Sequence, residues 1–255
     1  MRGTDKSAVT FLGSGDFHQI SHLLISQFDE PLSVITFDFH PDWDILPPRL
    51  HCGSWVTQTL RRPNILKFIL MGVSSKDIST FRIQSGNLKS LRNNRVEIYP
   101  HSHGPSLAFF KKVPHNVSIH AQRGTAVSKV FWIEIKGKNL AEFFGEILGR
   151  LPTRNVYVSI DKDCLTNEYA LTNWEEGRLS LDELLLMLGL IKKSCRIRGV
   201  DVVGDYSKME VAGIFKRMLC SLDHPKNIKA TTMSESLVTA VNETTNIKIL
   251  EVLNS

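Results

Sequence analysis

No apolar run in this sequence approaches the roughly 18 residues that a membrane-spanning helix requires, and residues 1–14 lack the continuous apolar stretch of a secretion signal. Both absences point to a cytoplasmic protein with no membrane partner. Cysteine is sparse: Cys52, Cys164, Cys195 and Cys220 are irregularly spaced and include no C-x-x-C pair. That argues against a disulfide framework and against a zinc–thiolate site, so free thiols are expected. Concentrated positive charge is also lacking. The excess of Lys and Arg (31) over Asp and Glu (26) is scattered, with only pairs such as Arg61-Arg62, Lys111-Lys112 and Lys192-Lys193, and no nucleic-acid stripe results. Asn116-Val117-Ser118 and Asn242-Glu243-Thr244 match the glycosylation pattern, which matters only in a secreted chain. Internal repeats, low-complexity tracts and linkers are absent, so residues 1–255 are read as one domain.

What is present suits a packed enzyme-sized core: 42% hydrophobic and 22% charged residues over 255 positions. Short apolar runs rich in β-branched residues predict buried parallel strands at 33–39, 67–73, 155–160 and 197–203. Helical patterns at 19–27, 140–151 and 180–193 lie between them, the last opened by Ser180 with Glu183 three residues on, a capping-box spacing. The alternation predicts an α/β fold of three layers, a mainly parallel sheet with helices on both faces. Residues 85–124, rich in Asn, Pro, His and basic side chains, read as loops with a short strand or two. The stretch 224–255 turns polar, then apolar at 247–253, where a closing helix or strand is expected.

The chemistry concentrates at strand ends. In Phe37-Asp38-Phe39-His40-Pro41-Asp42, three metal-capable side chains follow a buried strand at i, i+2 and i+4, a spacing that sends them to one side of an extended chain. Ser159-Ile160-Asp161-Lys162-Asp163 repeats the arrangement after another apolar strand, and Gly13-Ser14-Gly15-Asp16-Phe17-His18 is a glycine-rich turn that would present His18 to the same sheet edge. In parallel α/β sheets, ligand sites form beyond the carboxyl ends of the strands. Four aspartates brought together (Asp38, Asp42, Asp161, Asp163) repel one another, and two divalent cations balance them. Oxygen ligands mixed with imidazole suit Mn²⁺ or Fe²⁺.

These residues resemble the ureohydrolase family of arginases, agmatinases and formiminoglutamases, with the deacetylases as more distant relatives. In that family a G-G-D-H turn, a D-A-H-x-D strand end and an S-x-D-x-D strand end hold a dimanganese centre. Gly15-Asp16-Phe17-His18 resembles the first with one residue inserted, Asp38 to Asp42 the second, and Ser159 to Asp163 the third. The resemblance implies that His18, Asp38, Asp42 and Asp161 hold one ion and Asp38, His40, Asp161 and Asp163 the other, with Asp38 and Asp161 bridging. It implies two Mn²⁺, with Fe²⁺ or Zn²⁺ as alternatives, and it makes His51 a proton shuttle. His51 and Asp163 are thus the candidate catalytic residues. Thr172-Asn173-Trp174-Glu175-Glu176-Gly177 resembles the family's T-P-E-P-G-G turn, so the similarity spans roughly residues 11–207.

Departures bear on the substrate. The family's D-x-x-E-x-N-P run carries the Glu that grips a guanidinium, whereas Gly204 stands at that place here and Asp205 lies one residue beyond. The loop that reads the amino-acid end of arginine is replaced by 43–50, W-D-I-L-P-P-R-L, and the first motif already starts at Gly13, fewer residues into the chain than in full-length relatives. The implied activity is hydrolysis of a C–N bond (guanidino, amidino or amide) in a small molecule by metal-activated water. Rival readings are a deacetylase-like amidohydrolase in which Tyr206 polarises the acyl oxygen, a two-metal phosphoesterase, and a metal-binding homologue without turnover. His51 is either the shuttle or a helix cap, and Cys52 either a nucleophile or packing. Trp43 and Trp55 either shape a pocket or fill the core, and His101, His103, His115 and His120 read as surface or pocket wall. The expected partner is a small-molecule substrate, with no nucleic acid, and a homo-oligomeric assembly stays open.

Overall fold

A computed structural model describes residues 8–109, 113, 116–207 and 233–255. Lys111-Lys112, His115, Cys220 and the polar beginning of the stretch 224–255 lie outside the described residues. The strands are β1 (Val9–Gly13), β2 (Leu32–Phe37), β3 (Ile65–Met71), β4 (Val96–Tyr99), β5 (Ser106–Phe109), β6 (Ile119–Arg123), β7 (Val127–Trp132), β8 (Asn155–Asp161) and β9 (Arg196–Val203). Six of them form one sheet in the order β1-β9-β8-β2-β3-β4, with every neighbouring pair parallel. β5, β7 and β6 make a small antiparallel sheet. The helices are α1 (Ile20–Ile25), α2 (Trp55–Thr59), α3 (Leu88–Arg92), α4 (Leu140–Gly149), α5 (Leu181–Ser194) and α6 (Glu235–Asn254).

Alternation along the strands builds a core on each face of the large sheet. Ile35 and Phe37 of β2, Ile69 and Met71 of β3, and Val156, Val158 and Ile160 of β8 pack against α4, α5 and α6. Val34 of β2, Phe68 and Leu70 of β3, and Tyr157 of β8 pack on the other side against α1, α2, α3 and the small sheet. The three-layer arrangement predicted from the sequence is therefore present. α5 shows the local logic. The Ser180 hydroxyl accepts from Glu183 N at 3.2 Å, the Glu183 carboxylate accepts from Ser180 N at 2.8 Å, and a stripe of Leu181, Leu184, Met187, Leu188 and Ile191 is buried. Each such side chain contributes roughly 1.5–3 kcal/mol on burial.

The stretch 85–124 holds more order than its composition suggests: α3, the edge strand β4, and two strands of the small sheet. The apolar segment at 247–253 is the last part of α6, which begins at Glu235. Both glycosylation-like asparagines are buried, and their amides bond backbone carbonyls, Asn116 those of Leu91 and Val96 and Asn242 that of Leu171. Among the described residues no helix is long and apolar enough to cross a membrane.

The strand order positions the site. From β2 the chain continues to β3 and β4 on one side of the sheet, while β8, its other neighbour, leads to β9 and the opposite edge. The carboxyl ends of β2 and β8 thus flank a topological switch point, where diverging connections leave a crevice.

Candidate metal centre

Three chain segments meet in that crevice. β1 ends at Gly13, and the Ser14 hydroxyl accepts from Asp16 N at 3.3 Å to start the 3-10 turn Gly15–Phe17, which delivers His18. Glycine at position 15 suits the close packing of the turn, because a Cβ there would lie 3.0 Å from both Asp161 Oδ2 and the Trp174 indole, and those side chains would have to give way. Beyond β2 come Asp38, His40 and Asp42. Asp42 has φ 46°, a left-handed conformation that Asp tolerates better than most residues, and its Oδ2 accepts from the Trp55 indole N–H at 2.8 Å. β8 ends on Asp161, and a short 3-10 turn follows with Asp163.

His18 Nδ1 lies 3.2 Å from Asp38 Oδ2, 3.2 Å from Asp42 Oδ2 and 3.5 Å from Asp161 Oδ2. His40 Nδ1 lies 3.0 Å from Asp163 Oδ2 and 3.8 Å from Asp38 Oδ1. Two donor sets result, His18–Asp38–Asp161 and Asp38–His40–Asp163, each with its ligand atoms within 4.8 Å of one another. Asp38 belongs to both, one oxygen toward each histidine. Asp161, which the resemblance also makes a bridge, enters only the first set; its Oδ1 accepts from Asp163 N at 3.0 Å.

Further hydrogen bonds hold these donors in place. Ser159 Oγ donates to Asp201 Oδ1 at 2.7 Å, so it accepts from His18 Nε2–H at 2.9 Å, and the lone pair of His18 is left on Nδ1, facing the carboxylates. Asp201, buried in the middle of β9, also accepts from Ser21 Oγ at 3.0 Å and from the Tyr157 hydroxyl at 2.7 Å. Phe39 N donates to Asp163 Oδ1 at 3.0 Å, and His40 N to Asp38 Oδ1 at 2.6 Å. Patterning along the chain assigns no role to Asp201. Its signals are a carboxylate interrupting the apolar run Val200-Asp201-Val202 and its place as the Asp of the D-x-x-E-like run in which Gly204 stands at the Glu position.

The electrostatics are those of a cation site. Burial, then the charges of Asp42 and Asp163, push the Asp38 carboxyl well up, and burial with Asp163 does the same to Asp161. For His18 and His40 burial acts downward, but the adjoining carboxylates outweigh it and raise both. Asp38 Oδ2, in a residue only 1% exposed, has no hydrogen-bond partner. An orphaned buried carboxylate oxygen costs several kcal/mol unless a cation meets it, so these residues fit a pair of divalent ions.

No protein-family model matches the chain. An uncharacterized protein of Thermotoga maritima is 27% identical over 202 residues, 79% of this chain and 60% of that protein's length. Among solved structures, proclavaminate amidinohydrolase from Streptomyces clavuligerus aligns with TM-score 0.52 at 16% identity, over 78% of this chain and 56% of that one. Entamoeba histolytica arginase, in complex with L-ornithine, gives 0.52 at 15% identity over 85% of this chain and 68% of that one. Formimidoylglutamase from Bacillus subtilis gives 0.51 at 18% identity over 78% and 52%. The fold is that of the ureohydrolases. The likeness establishes the architecture, and the chemistry of this chain rests on its own residues.

On this ureohydrolase fold the metal-capable residues open into a cavity of about 570 Å³, also lined by Asp16, Asp44, His51, Cys52, Trp174 and Glu175. His51 N donates to Ser54 Oγ at 3.1 Å, while its Nε2 is buried without a partner. Burial holds the His51 imidazole below its ordinary pKa. Burial also pushes the Cys52 thiol up to about 11, which makes it a poor nucleophile near neutral pH. Asp44 is raised to about 6, chiefly by burial and next by Asp77. Trp43 and Trp55 are both fully buried, and Trp43 also borders the cavity. Tyr206 lies away from this cavity, packed beside Leu171 and Val238. His101, His103 and His120 are not among the cavity-lining residues. Glu175, which sequence patterning leaves without a role, faces His40 Nε2 at 3.3 Å.

Proposed function

We propose that the chain is a hydrolase that holds two divalent ions, Mn²⁺ foremost, and cleaves a C–N bond of guanidino, amidino or amide type in a small molecule, in the cytoplasm. The observation that carries this reading is the pair of donor sets sharing Asp38 at the switch point, with a buried carboxylate oxygen left unpartnered. The fold shared with the amidinohydrolase, arginase and formimidoylglutamase named above supports it. Two such ions, when bound, lower the pKa of a water and place positive charge beside an electrophilic carbon.

The chain's own groups do the rest. Asp38 fixes the spacing of the two sites, and Ser159 and Asp201 keep the His18 lone pair on Nδ1. Asp163 is immobilised by the Phe39 amide. His51, whose imidazole burial holds below its ordinary pKa and whose buried Nε2 has no partner, is the group in this reading that accepts a proton and passes it to the departing amine. The deacetylase-like alternative loses support because Tyr206 lies outside the cavity.

Titration with Mn²⁺ followed by elemental analysis should find about two ions per chain, and Asp38→Ala should lose both. One tightly held zinc with no second site overturns the reading. A metabolite screen that reads ammonia and amine release then supplies a substrate for the His51 test. His51→Asn should keep both ions while turnover falls roughly 10² to 10⁴-fold, the usual contribution of a general acid or base. Loss of an ion would make His51 a ligand, and undiminished turnover would return it to capping. Silence across the screen with both ions bound would favour a homologue without turnover.

A further inference from the structure

The two histidines at the centre are held in different ways. His18 is 1% exposed, and its Nε2 meets a hydroxyl, Ser159 Oγ. His40 turns Nδ1 toward Asp163 and Asp38, and its Nε2 faces a carboxylate, Glu175 Oε2, across 3.3 Å, an approach off hydrogen-bond geometry that leaves the buried Oε2 without a hydrogen-bond partner. The His40 ring also packs edge-on against Trp174, centroids 5.5 Å apart.

The segment that presents Glu175 is tied down on both flanks. Trp174 N donates to Thr172 Oγ1 at 3.1 Å, and Asn173 exchanges two hydrogen bonds of 2.7 Å with the Ser207 backbone. On the far side Glu176 Oε1 accepts from Asn167 N at 3.0 Å, and Gly177 N donates to Leu165 O at 3.0 Å. Glu175 is therefore offered to His40 by a braced turn.

A histidine that ligates through Nδ1 must carry its proton on Nε2. A carboxylate opposite Nε2–H selects that tautomer, fixes the ring and makes the other nitrogen a stronger donor. We propose that Glu175 is a positioning residue that orients His40 and sets the affinity of the Asp38–His40–Asp163 ion site, the counterpart of Ser159 and Asp201 at His18. This inference rests on the two-ion reading above. It assigns separate supports to the two sites, so each should be weakened independently of the other.

The test is a calorimetric Mn²⁺ titration, with electron paramagnetic resonance of the bound Mn²⁺, on the full chain and on Glu175→Gln, Glu176→Gln and Ser159→Ala. Glu175→Gln should leave the first ion unchanged and weaken the second about 10 to 100-fold, the usual effect of losing such a partner. Ser159→Ala should weaken the other site instead. Glu176→Gln removes a neighbouring charge but keeps the side-chain oxygen that accepts from Asn167 N, and it should change neither. Two unaltered affinities in Glu175→Gln, or equal losses in Glu175→Gln and Glu176→Gln, overturn the proposal while leaving two-ion binding intact. Fewer than two ions in the unsubstituted chain overturns both. Melting of the metal-free proteins should be the same in Glu175→Gln and the parent, and a collapse there would assign Glu175 to folding alone.

Discussion

At Gly204 the backbone takes φ +93°, and a Cβ added there would lie 2.5 Å from Asp161 Oδ1 and 2.7 Å from Lys162 N. This is the position where the resemblance puts a guanidinium-gripping glutamate. The difference is therefore in the backbone as well as in the side chain: the chain passes too close to a candidate ligand for any side chain to fit. Arginine and agmatine should release urea poorly, because a buried guanidinium without its charge-assisted partner forgoes about 1.5–3 kcal/mol, roughly 10 to 100-fold. Gly204→Glu should not restore the activity and should weaken Mn²⁺ binding by displacing Asp161. Efficient urea release from either compound by the unsubstituted chain would refute this. The ligand candidates themselves were legible because each motif is short and sits at a strand end: His18, Asp38 to Asp42, and Asp161 with Asp163. Their supports were not. Ser159 meets His18 across 141 residues of chain, and Glu175 reaches His40 from the turn before α5, so only folding reveals either pairing.

At the scale of elements, the four strands predicted from apolar runs are the four interior ones, β9, β8, β2 and β3. Burial on both faces leaves an uninterrupted apolar run in the sequence. The edge strand β4 escapes notice because it contains Glu97, which is buried yet satisfied by Lys67 Nζ at 2.5 Å and by the Tyr99 hydroxyl at 2.7 Å. α6 is legible only in part for a similar reason. Its buried stripe is Val238, Asn242, Thr245 and Ile249, and the two polar members are satisfied by the backbone of Leu171 and Tyr169. α5 combines a clean apolar stripe with a capping box, which is why its start was predicted at the right residue. Ser180→Ala removes the acceptor for Glu183 N and should destabilise the fold by about 1 kcal/mol. Urea unfolding should show a lower midpoint at an unchanged slope, and a midpoint within error of the parent would mean the cap is redundant.

The whole molecule gathers Asp38, Asp42, Asp161 and Asp163 with two histidines at one buried crevice, and that carries a cost in the absence of cations. In the metal-free chain the Asp38 and Asp161 carboxyls lie above the ordinary carboxylate range of about 3.9, so the folded state binds protons more tightly than the unfolded state there. Stability from these groups is greatest at acid pH and declines as pH rises through their folded values. The raised histidines act in the same sense: their stabilisation is present below about 6.5 and is lost as pH rises through the folded values. Divalent ions reverse the trend, since they bind the deprotonated ligands and release protons. Chelator-treated protein should therefore melt at progressively lower temperature from about pH 6 to pH 8.5, while Mn²⁺-loaded protein should not. At a free Mn²⁺ concentration a hundred times Kd, one site adds about 2.7 kcal/mol, and each kcal/mol raises Tm by roughly 2–4 °C in a chain of this size. The gap between the two melting curves should widen with pH, accompanied by proton uptake into buffer on Mn²⁺ addition. A metal-free Tm that is flat across the range would mean that the carboxylates are not clustered as the switch point places them.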